Sequence, residues 1–314
     1  MPRFGVAVER RVVARVARSN GMGIGEACSI GAALSWAGGV IVYKRLGESL
    51  PPTTLNLVKN VLVIAMILPT VPLVHGFAWP ALSAHAIVLA IVSGALGIAL
   101  ADTLYFKALN TLGAGRMGIV GNFYSPFVIV LSFAFLGERL NGLQLAGFAL
   151  VSGGVLIVSA NDPHKRLSKA ELRRGALLGV AAVLLMASAI VMIKRVLEGA
   201  PLFWIVLLRL VGGLAGMLAI FAWRREPLPI PGRTATKLRW PLLLLAAFLG
   251  QYVSMALWMA GYKYTEASVA AVLNETASVF IVLLAAMFLH EGLDARRLLG
   301  VACTLSGVAC MLAA

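Results

Sequence analysis

Two acidic residues lie inside long apolar stretches of the sequence, where a carboxylate is costly to ionise. Asp102 follows the apolar run that ends at Ala101, and Glu275 lies eight positions after Ala267 in an equally apolar run. An ionisable group in such surroundings is by default a candidate for substrate recognition or proton coupling. Asp102 precedes Lys107 by only five positions and is expected to lie closer to water, so Glu275 is the stronger candidate.

Two basic residues also lie inside long apolar stretches of the sequence. Lys59 and Arg209 each lie eight positions after a proline, Pro51 and Pro201, near the start of an apolar run. In a helix this spacing corresponds to about 12 Å, too far for the side chain to reach water easily. Each cation therefore needs a carboxylate, a helix end or water beside it, and it could either tie helices together or contact a substrate.

Hydrogen-bonding and aromatic side chains accompany these charges. Gln251, Ser254 and Trp258 are spaced i, i+3 and i+7, which places them on one face of a regular helix. Such groups could line a binding cavity or join neighbouring helices. The candidate substrate-binding residues are Asp102, Asn122, Tyr124, Ser125, Gln251, Ser254, Trp258, Glu275 and Ser278.

The elements that position these residues are predicted to be membrane-spanning helices. The 314-residue chain is 60% hydrophobic and 13% charged, whereas soluble domains are about 45–50% apolar and about 25% charged. Apolar stretches of about 20 residues, long enough to cross a ~30 Å hydrocarbon core, recur along the chain. Residues 242–247 do not alternate between polar and apolar, which argues against a β-barrel. Ten spans are predicted, near residues 22–43, 53–74, 84–107, 116–137, 142–160, 174–193, 202–222, 240–262, 267–289 and 296–313.

The sequence contains one pattern twice. The segments FLGERLNGLQLAGFALVSGGV, residues 135–155, and FLHEGLDARRLLGVACTLSGV, residues 288–308, share phenylalanine, glutamate, leucine and glycine positions at a constant offset of 153. Each repeat contains five predicted spans, an odd number, so the second repeat must cross the membrane in the opposite sense to the first. Inverted repeats of this kind bind substrate near the midplane, at the pseudo-two-fold interface.

The repeat relates the candidate residues to one another. The offset of 153 pairs Asn122 with Glu275, and an offset of 150 over the earlier spans pairs Lys59 with Arg209. The two halves are therefore expected to present polar groups at corresponding depths. One of the paired mid-span positions is acidic and the other carries a neutral amide, so the sequence predicts that the two halves differ in charge.

Two further pairs of residues follow from the same offset. Ser125 pairs with Ser278, and we expect these serines to face each other across one central cavity. Glu138 pairs with Glu291, and each glutamate lies just before a new span, where an acid interacts favourably with the positive end of the helix. Glu138 and Glu291 are expected to have structural or gating roles, as are the cations Lys59 and Arg209.

The net charge is +14, and the basic residues lie in short segments between spans. Their distribution therefore indicates which connections face the cytoplasm, rather than a nucleic-acid-binding surface. The connections between spans 5 and 6 and between spans 7 and 8 contain most of the basic residues. By the positive-inside effect these connections favour the cytoplasm and place both termini outside. The basic tail, residues 1–21, favours the opposite orientation.

The remaining reactive residues form no recognisable catalytic set. Cys28, Cys303 and Cys310 all fall in apolar stretches and are expected to be packing residues rather than metal ligands or disulfide partners. The four histidines are scattered along the chain, and the sequence contains no nucleotide-binding loop. We expect no metal and no cofactor.

The two repeats resemble the EamA repeat of the drug/metabolite transporter superfamily. The resemblance rests on the short-loop glutamates in GERL and HEGL, the GG or SG pair in the following span, Pro126, and the cations that end PPTTLNLVK and PLFWIVLLR. It covers residues 22–313. Three positions depart from the pattern of the family: Lys59 stands where an arginine is usual, Val279 corresponds to Pro126, and Glu275 occupies a position not expected to be acidic.

This resemblance implies a ten-helix secondary transporter, not an enzyme, that acts as a monomer in a bacterial inner (plasma) membrane. It implies export of a small amphipathic metabolite, with amino acids or related compounds favoured, by alternating access at a midplane cavity. Coupling to protons or to a counter-substrate is predicted through Glu275 or Asp102. The resemblance also implies a cytoplasmic N-terminus, in conflict with the loop charges. The alternatives are a lipid-linked or membrane-biogenesis carrier and an integral-membrane enzyme. The predicted domains are a basic tail (1–21), a first repeat (22–160), a basic linker (161–173) and a second repeat (174–314).

Overall fold

The computed structural model describes residues 23–46, 52–159, 167–225, 240–290 and 294–314. The predicted basic tail and residues 161–166 of the predicted linker lie outside these residues. The described ranges form ten helices, two of which are interrupted by a short turn. The helices are α1 (Ile24–Leu46), α2 (Pro52–His75), α3 (Ala84–Leu112), α4 (Ala114–Gly121 and Tyr124–Leu136), α5 (Gly142–Ser159), α6 (Lys169–Gly199), α7 (Leu202–Arg224), α8 (Trp240–Tyr264), α9 (Ala267–Asn274 and Ala277–Leu289) and α10 (Ala295–Leu312).

All ten helices are long and apolar enough to cross a membrane. This confirms the prediction of an all-α integral membrane protein. Two spans differ most from prediction: α3 ends at Leu112 rather than near 107, and α6 runs from Lys169 to Gly199 rather than over 174–193. The Ser168 hydroxyl accepts a hydrogen bond from the Glu171 N–H at 3.2 Å, and the Glu171 carboxylate accepts one from the Ser168 N–H at 2.9 Å. This capping box starts the helix inside a charged segment that hydropathy assigns to a loop.

Because the ten helices cross the membrane alternately, the start of α1 and the end of α10 lie at one membrane face. We call it the terminal face; it holds the start of α1, the end of α10 and the connections α2–α3, α4–α5, α6–α7 and α8–α9. The opposite face holds the other connections, which include the basic connections α5–α6 and α7–α8. Residues near the start of α7 or α9 are therefore closer to the terminal face.

The helical irregularities of the two halves correspond to one another. Helix α3 contains a π-helical segment at Ala95–Ala101, and α8 contains one at Phe248–Val253. These segments begin 153 positions apart. Helices α4 and α9 break at residues 122–123 and 275–276, again 153 positions apart. The repeat therefore extends from the sequence to local departures from α-helical geometry, which in transporters accompany ligand sites.

The first helix of each repeat packs against the other repeat. Helix α1 packs on α8 and α9, and α6 packs on α3 and α4. In α1, Gly39 lies against the backbone of Gly250, and in α6 a Cβ at Gly179 would lie 3.2 Å from the sulfur of Met117. We call α3, α4 and α6 the first packing group, and α1, α8 and α9 the second packing group.

Helices α5 and α10 cross at four glycines. A Cβ at Gly147 would lie 2.8 Å from the carbonyl oxygen of Gly307, and one at Gly307 would lie 2.7 Å from that of Gly147. Gly154 and Gly300 are related in the same reciprocal way, at 2.6 and 2.8 Å. Because Gly147 corresponds to Gly300 and Gly154 to Gly307 in the repeat, the two helices run antiparallel about a pseudo-two-fold axis. This is the arrangement of an inverted repeat.

Candidate functional site

The two polar residues paired by the repeat lie at the breaks of α4 and α9. Asn122 and Phe123 form the turn in α4, and Glu275 and Thr276 form the turn in α9. At the second break the Thr276 hydroxyl donates to the carbonyl oxygen of Leu273 at 2.6 Å, so this backbone group is satisfied locally. Broken helices at membrane depth are tolerated where they line a cavity or are covered by protein, and they leave helix ends available for ligands.

Glu275 reaches from the break of α9 to α4. Its carboxylate accepts hydrogen bonds from the hydroxyl of Ser125 at 2.5 Å and from the backbone N–H of Ser125 at 3.3 Å. Ser125 lies in the first turn of the second segment of α4, where a negative charge is favourable. Glu275 forms no ion pair with Lys59 or Arg209 in the described part of the chain. The hydroxyl and the helix end stabilise the acid in place of a cation.

Arg209 is buried in α7 and is held by neutral groups. Its guanidinium donates to the Ser93 hydroxyl and, at 3.3 Å, to the carbonyl oxygen of Ala189. It also lies 5.8 Å from the centre of the Trp258 ring, a cation–π distance. The Nε atom of Arg209 is buried without a hydrogen-bond partner in the described part of the chain. The described partners of Arg209 are all neutral. Its Nε donor and its positive charge can therefore both interact with an anionic group.

A pair of tyrosines lies between the acid and the arginine. The hydroxyl oxygens of Tyr124 in α4 and Tyr262 in α8 are 2.8 Å apart. Tyr262 also contacts Trp258 edge to face, with ring centres 5.0 Å apart. Tyr124 interacts electrostatically with both Arg209 and Glu275. These five side chains form one cluster with a negative end, an aromatic middle and a positive end.

The first half contains its own acid and cation. Lys59 in α2 is buried, and it interacts electrostatically with Asp102 in α3. Asp102 in turn lies near Tyr105, which corresponds to Trp258 in the repeat. The two side chains form no ion pair in the described part of the chain, so the expectation that Lys59 needs a carboxylate beside it stays a prediction. Asp102 is not on the broken helix, so the two halves place their carboxylates differently.

The remaining candidates are held by separate neighbours. Asn122 donates to the carbonyl oxygen of Ser152 in α5 at 3.3 Å, and its own side-chain oxygen has no partner among the described residues. Ser278 is half-buried just past the break of α9, and its N–H donates to the Glu275 carbonyl oxygen at 3.2 Å. Whether the side chains of Ser125 and Ser278 share one cavity stays a prediction.

The common face predicted for Gln251, Ser254 and Trp258 stays a prediction. The Ser254 hydroxyl donates to the carbonyl oxygen of Ala32 in α1 at 3.2 Å, whereas Trp258 lies over Arg209. Gln251 lies inside the π-helical segment, and its amide donates to a methionine sulfur within α8. Ser254 and Trp258 lie four positions apart in the α-helical part of α8, whereas Gln251 lies in a π-helical segment, which does not have 3.6 residues per turn.

Glu138 stabilises a helix other than the one predicted. It was expected to interact with α5, the helix that follows it in sequence. Instead its carboxylate accepts the N–H groups of Ala267 and Ser268 at 2.8 and 2.9 Å, so it caps α9. Helix α5 is capped by Asn141, whose side chain accepts from the Gln144 N–H at 2.9 Å. The position of Glu291, the corresponding acid, lies outside the described residues.

Sequence reasoning missed Ser93 and Tyr262. Tyr262 follows Trp258 by four positions, the spacing of neighbours on one helix face, so this signal was present in the sequence. Ser93 has no comparable signal, because its contact with Arg209 depends on how α3 crosses α7. The described residues contain no group of three or more potential metal ligands.

Three comparisons relate the chain to known proteins. The sequence pattern of the EamA-like transporter family matches residues 23–160 and 173–313. Protein PecM of Dickeya dadantii is 29% identical over 214 residues, 67% of this chain and 68% of that protein. The uncharacterized transporter YetK of Bacillus subtilis is 21% identical over 312 residues, 96% of this chain and 92% of that protein. A solved crystal structure, 18% identical, superposes with a TM-score of 0.74 over 91% of this chain and 95% of its own.

Proposed function

The chain belongs to the EamA-like transporter family, and we propose that it is a secondary active transporter that exports a small amphipathic metabolite. The proposed mechanism is alternating access at a midplane site between the two repeats, in a bacterial inner membrane and as a monomer. Amino acids or related compounds are the proposed substrate class. The observation that supports this best is the contact of Glu275 with Ser125 at the broken helices.

Glu275 has the environment of an exchangeable binding group. Its hydrogen-bond donors are a hydroxyl and a backbone N–H of Ser125, not a cation of the described chain. An incoming ammonium group or proton can therefore replace the Ser125 hydroxyl without breaking an ion pair inside the protein. Since one carboxylate binds either ligand, each is bound at the expense of the other, as exchange requires.

The other end of the cluster favours an anionic group. Arg209 is buried, lies over Trp258 and has a free Nε donor among the described residues. A carboxylate would interact strongly with a guanidinium at this depth because water does not compete for it. Tyr124 and Tyr262 between the two charges offer hydroxyls and ring faces to the body of the ligand. A ligand with an amine, an apolar body and a carboxylate fits this order of groups.

The proposal is tested by uptake and counterflow in proteoliposomes. We expect purified protein to exchange one or more zwitterionic compounds from a panel of amino acids, sugars, cationic drugs and lipid-linked sugars, and to do so without ATP. Exchange confined to lipid-linked compounds would support the carrier alternative and contradict the proposal. Absence of exchange for the whole panel, with protein shown to be folded and inserted, would also contradict it.

A further inference from the structure

At the terminal face, charged side chains of each packing group contact helix ends of the other. The inference that we draw from these contacts rests on the alternating access proposed above. Glu138 follows α4 in the first packing group, and it caps α9 of the second packing group. Its two oxygens accept the N–H groups of Ala267 and Ser268 and the hydroxyl of Ser268. A carboxylate at a helix N-terminus interacts with the positive end of the helix dipole, so this contact holds the groups together.

The second contact joins a positively charged side chain, Lys263, to a helix C-terminus. Lys263, in the last turn of α8 in the second packing group, reaches the C-terminus of α6 in the first. Its ammonium donates to the carbonyl oxygens of Ala200 and Leu197 at 2.5 and 3.2 Å. A cation is favourable at a helix C-terminus, where carbonyl groups have no partner within the helix. In both contacts, a charged side chain of one packing group therefore binds a helix end of the other packing group.

Both side chains border the same cavity at the terminal face. The cavity has a volume of about 540 Å³, and its lining includes Glu138, Lys194, Lys263 and Glu266. Lys194 forms an ion pair with Glu198 within α6, so this pair stays inside one packing group. Water in such a polar cavity can hydrate the carboxylate and the ammonium when they leave the helix ends. The two contacts are therefore reversible at moderate cost, unlike contacts in an apolar core.

We propose that Glu138 and Lys263 form the gate of the transporter at the terminal face. With both helix ends capped across the groups, the path from the central cluster to this face is closed. Opening at this face separates α4 from the start of α9 and α8 from the end of α6, and both caps are then released. Glu138 and Lys263 act by positioning helices and do not contact the substrate.

The gate is tested by distance measurement between spin labels, which needs no substrate. Labels on cysteines at Arg139 and Glu266, which border one cavity at the terminal face, report the separation of the groups. In Glu138→Gln and in Lys263→Met we expect a new, longer distance to be populated in lipid nanodiscs. Glu171→Gln is the matched control, because the Glu171 carboxylate caps the helix to which Glu171 belongs; this variant should keep the wild-type distances.

Two outcomes would contradict the proposal that Glu138 and Lys263 form a gate. Unchanged distances in Glu138→Gln and Lys263→Met, with only a lower unfolding temperature, would make both residues structural caps. A longer distance in the Glu171→Gln control would show that loss of any helix cap loosens the fold. Failure of the gate and failure of the proposed function are distinguishable. Zwitterion exchange with unchanged label distances contradicts the gate alone, and lengthened distances without exchange of any compound contradict the transport proposal alone.

Discussion

Glu275 of α9 and Ser125 of α4 are joined by two hydrogen bonds at the level where both helices break. The contact connects the second repeat to the first near the centre of the protein. The acid of the broken helix is thus held by a hydroxyl and a helix end, both neutral groups. A small change at either residue should therefore alter the site without removing an ion pair.

The hydroxyl of Ser125 is predicted to stabilise the fold through Glu275. Ser125→Ala removes the 2.5 Å hydrogen bond and leaves a buried carboxylate with one donor fewer. We expect the free energy of unfolding to fall by about 1–3 kcal/mol, the usual cost for a hydrogen bond to a charged group. Ser132→Ala is the matched control: Ser132 is also buried in α4, and its hydroxyl has no partner among the described residues. Equal losses in the two variants, measured by denaturant unfolding in detergent, would contradict the prediction.

Neighbouring glycines of α5 are predicted to respond oppositely to alanine. A Cβ at Gly154 would lie 2.6 Å from the carbonyl oxygen of Gly300, so Gly154→Ala must push α10 away. We expect a loss of about 1–3 kcal/mol from overpacking. A Cβ at Gly153 meets nothing within 4 Å, so Gly153→Ala should gain about 0.5–1 kcal/mol through helix propensity. Thermal unfolding of both variants checks this, and a destabilised Gly153→Ala would disprove the assignment of the helix faces.

Glu266, in the α8–α9 connection, is predicted to make stability depend on pH. Partial burial and the nearby carboxylate of Glu138 raise the pKa of Glu266 above its usual value, with Lys194 opposing them. The folded protein therefore binds this proton more tightly than the unfolded chain, and the resulting stability is present at low pH and lost as pH rises through the raised pKa. Glu266→Gln should unfold like the wild type below about pH 4 and at a higher temperature near neutral pH. A variant less stable than the wild type at neutral pH would contradict this sign.

The loop charges predict that the terminal face lies outside the cell. The α5–α6 and α7–α8 connections at the opposite face contain many basic residues, and such connections favour the cytoplasm. In a cysteine-free background, Ser168→Cys at the start of α6 should resist an impermeant thiol reagent in intact cells. Arg139→Cys at the terminal face should react. The reverse pattern would support the orientation that family resemblance and the basic N-terminal tail imply.

The spans could be predicted from the sequence, because apolar runs of about 20 residues mark all ten helices. The positions of Lys59 and Arg209 within such runs agree with their burial in the protein. The repeat also related α5 to α10 before any contact was known. These inferences succeed because they depend on positions within one helix or on a comparison of two sequence segments.

The partners of the deep residues could not be predicted in the same way. Ser125 lies 150 positions before Glu275, and only the crossing of α4 and α9 brings them together. Glu138 caps α9, whereas the adjacent α5 is capped by Asn141. Contacts between distant segments depend on helix crossing, for which one sequence contains no local signal.

The role of Glu275 is tested most directly by the pH dependence of exchange in Glu275→Gln, using a compound that the wild-type protein exchanges. The neutral side chain keeps the size of the acid and an oxygen that can accept from Ser125, so we expect a folded and inserted protein. Exchange should be lost, or should no longer vary between about pH 5.5 and about pH 8. Asp102→Asn tests the alternative acid, and its exchange should retain the pH dependence. If Glu275→Gln exchanges the compound as the wild-type protein does across this pH range, the role of Glu275 is contradicted. Asp102 then becomes the candidate for that role.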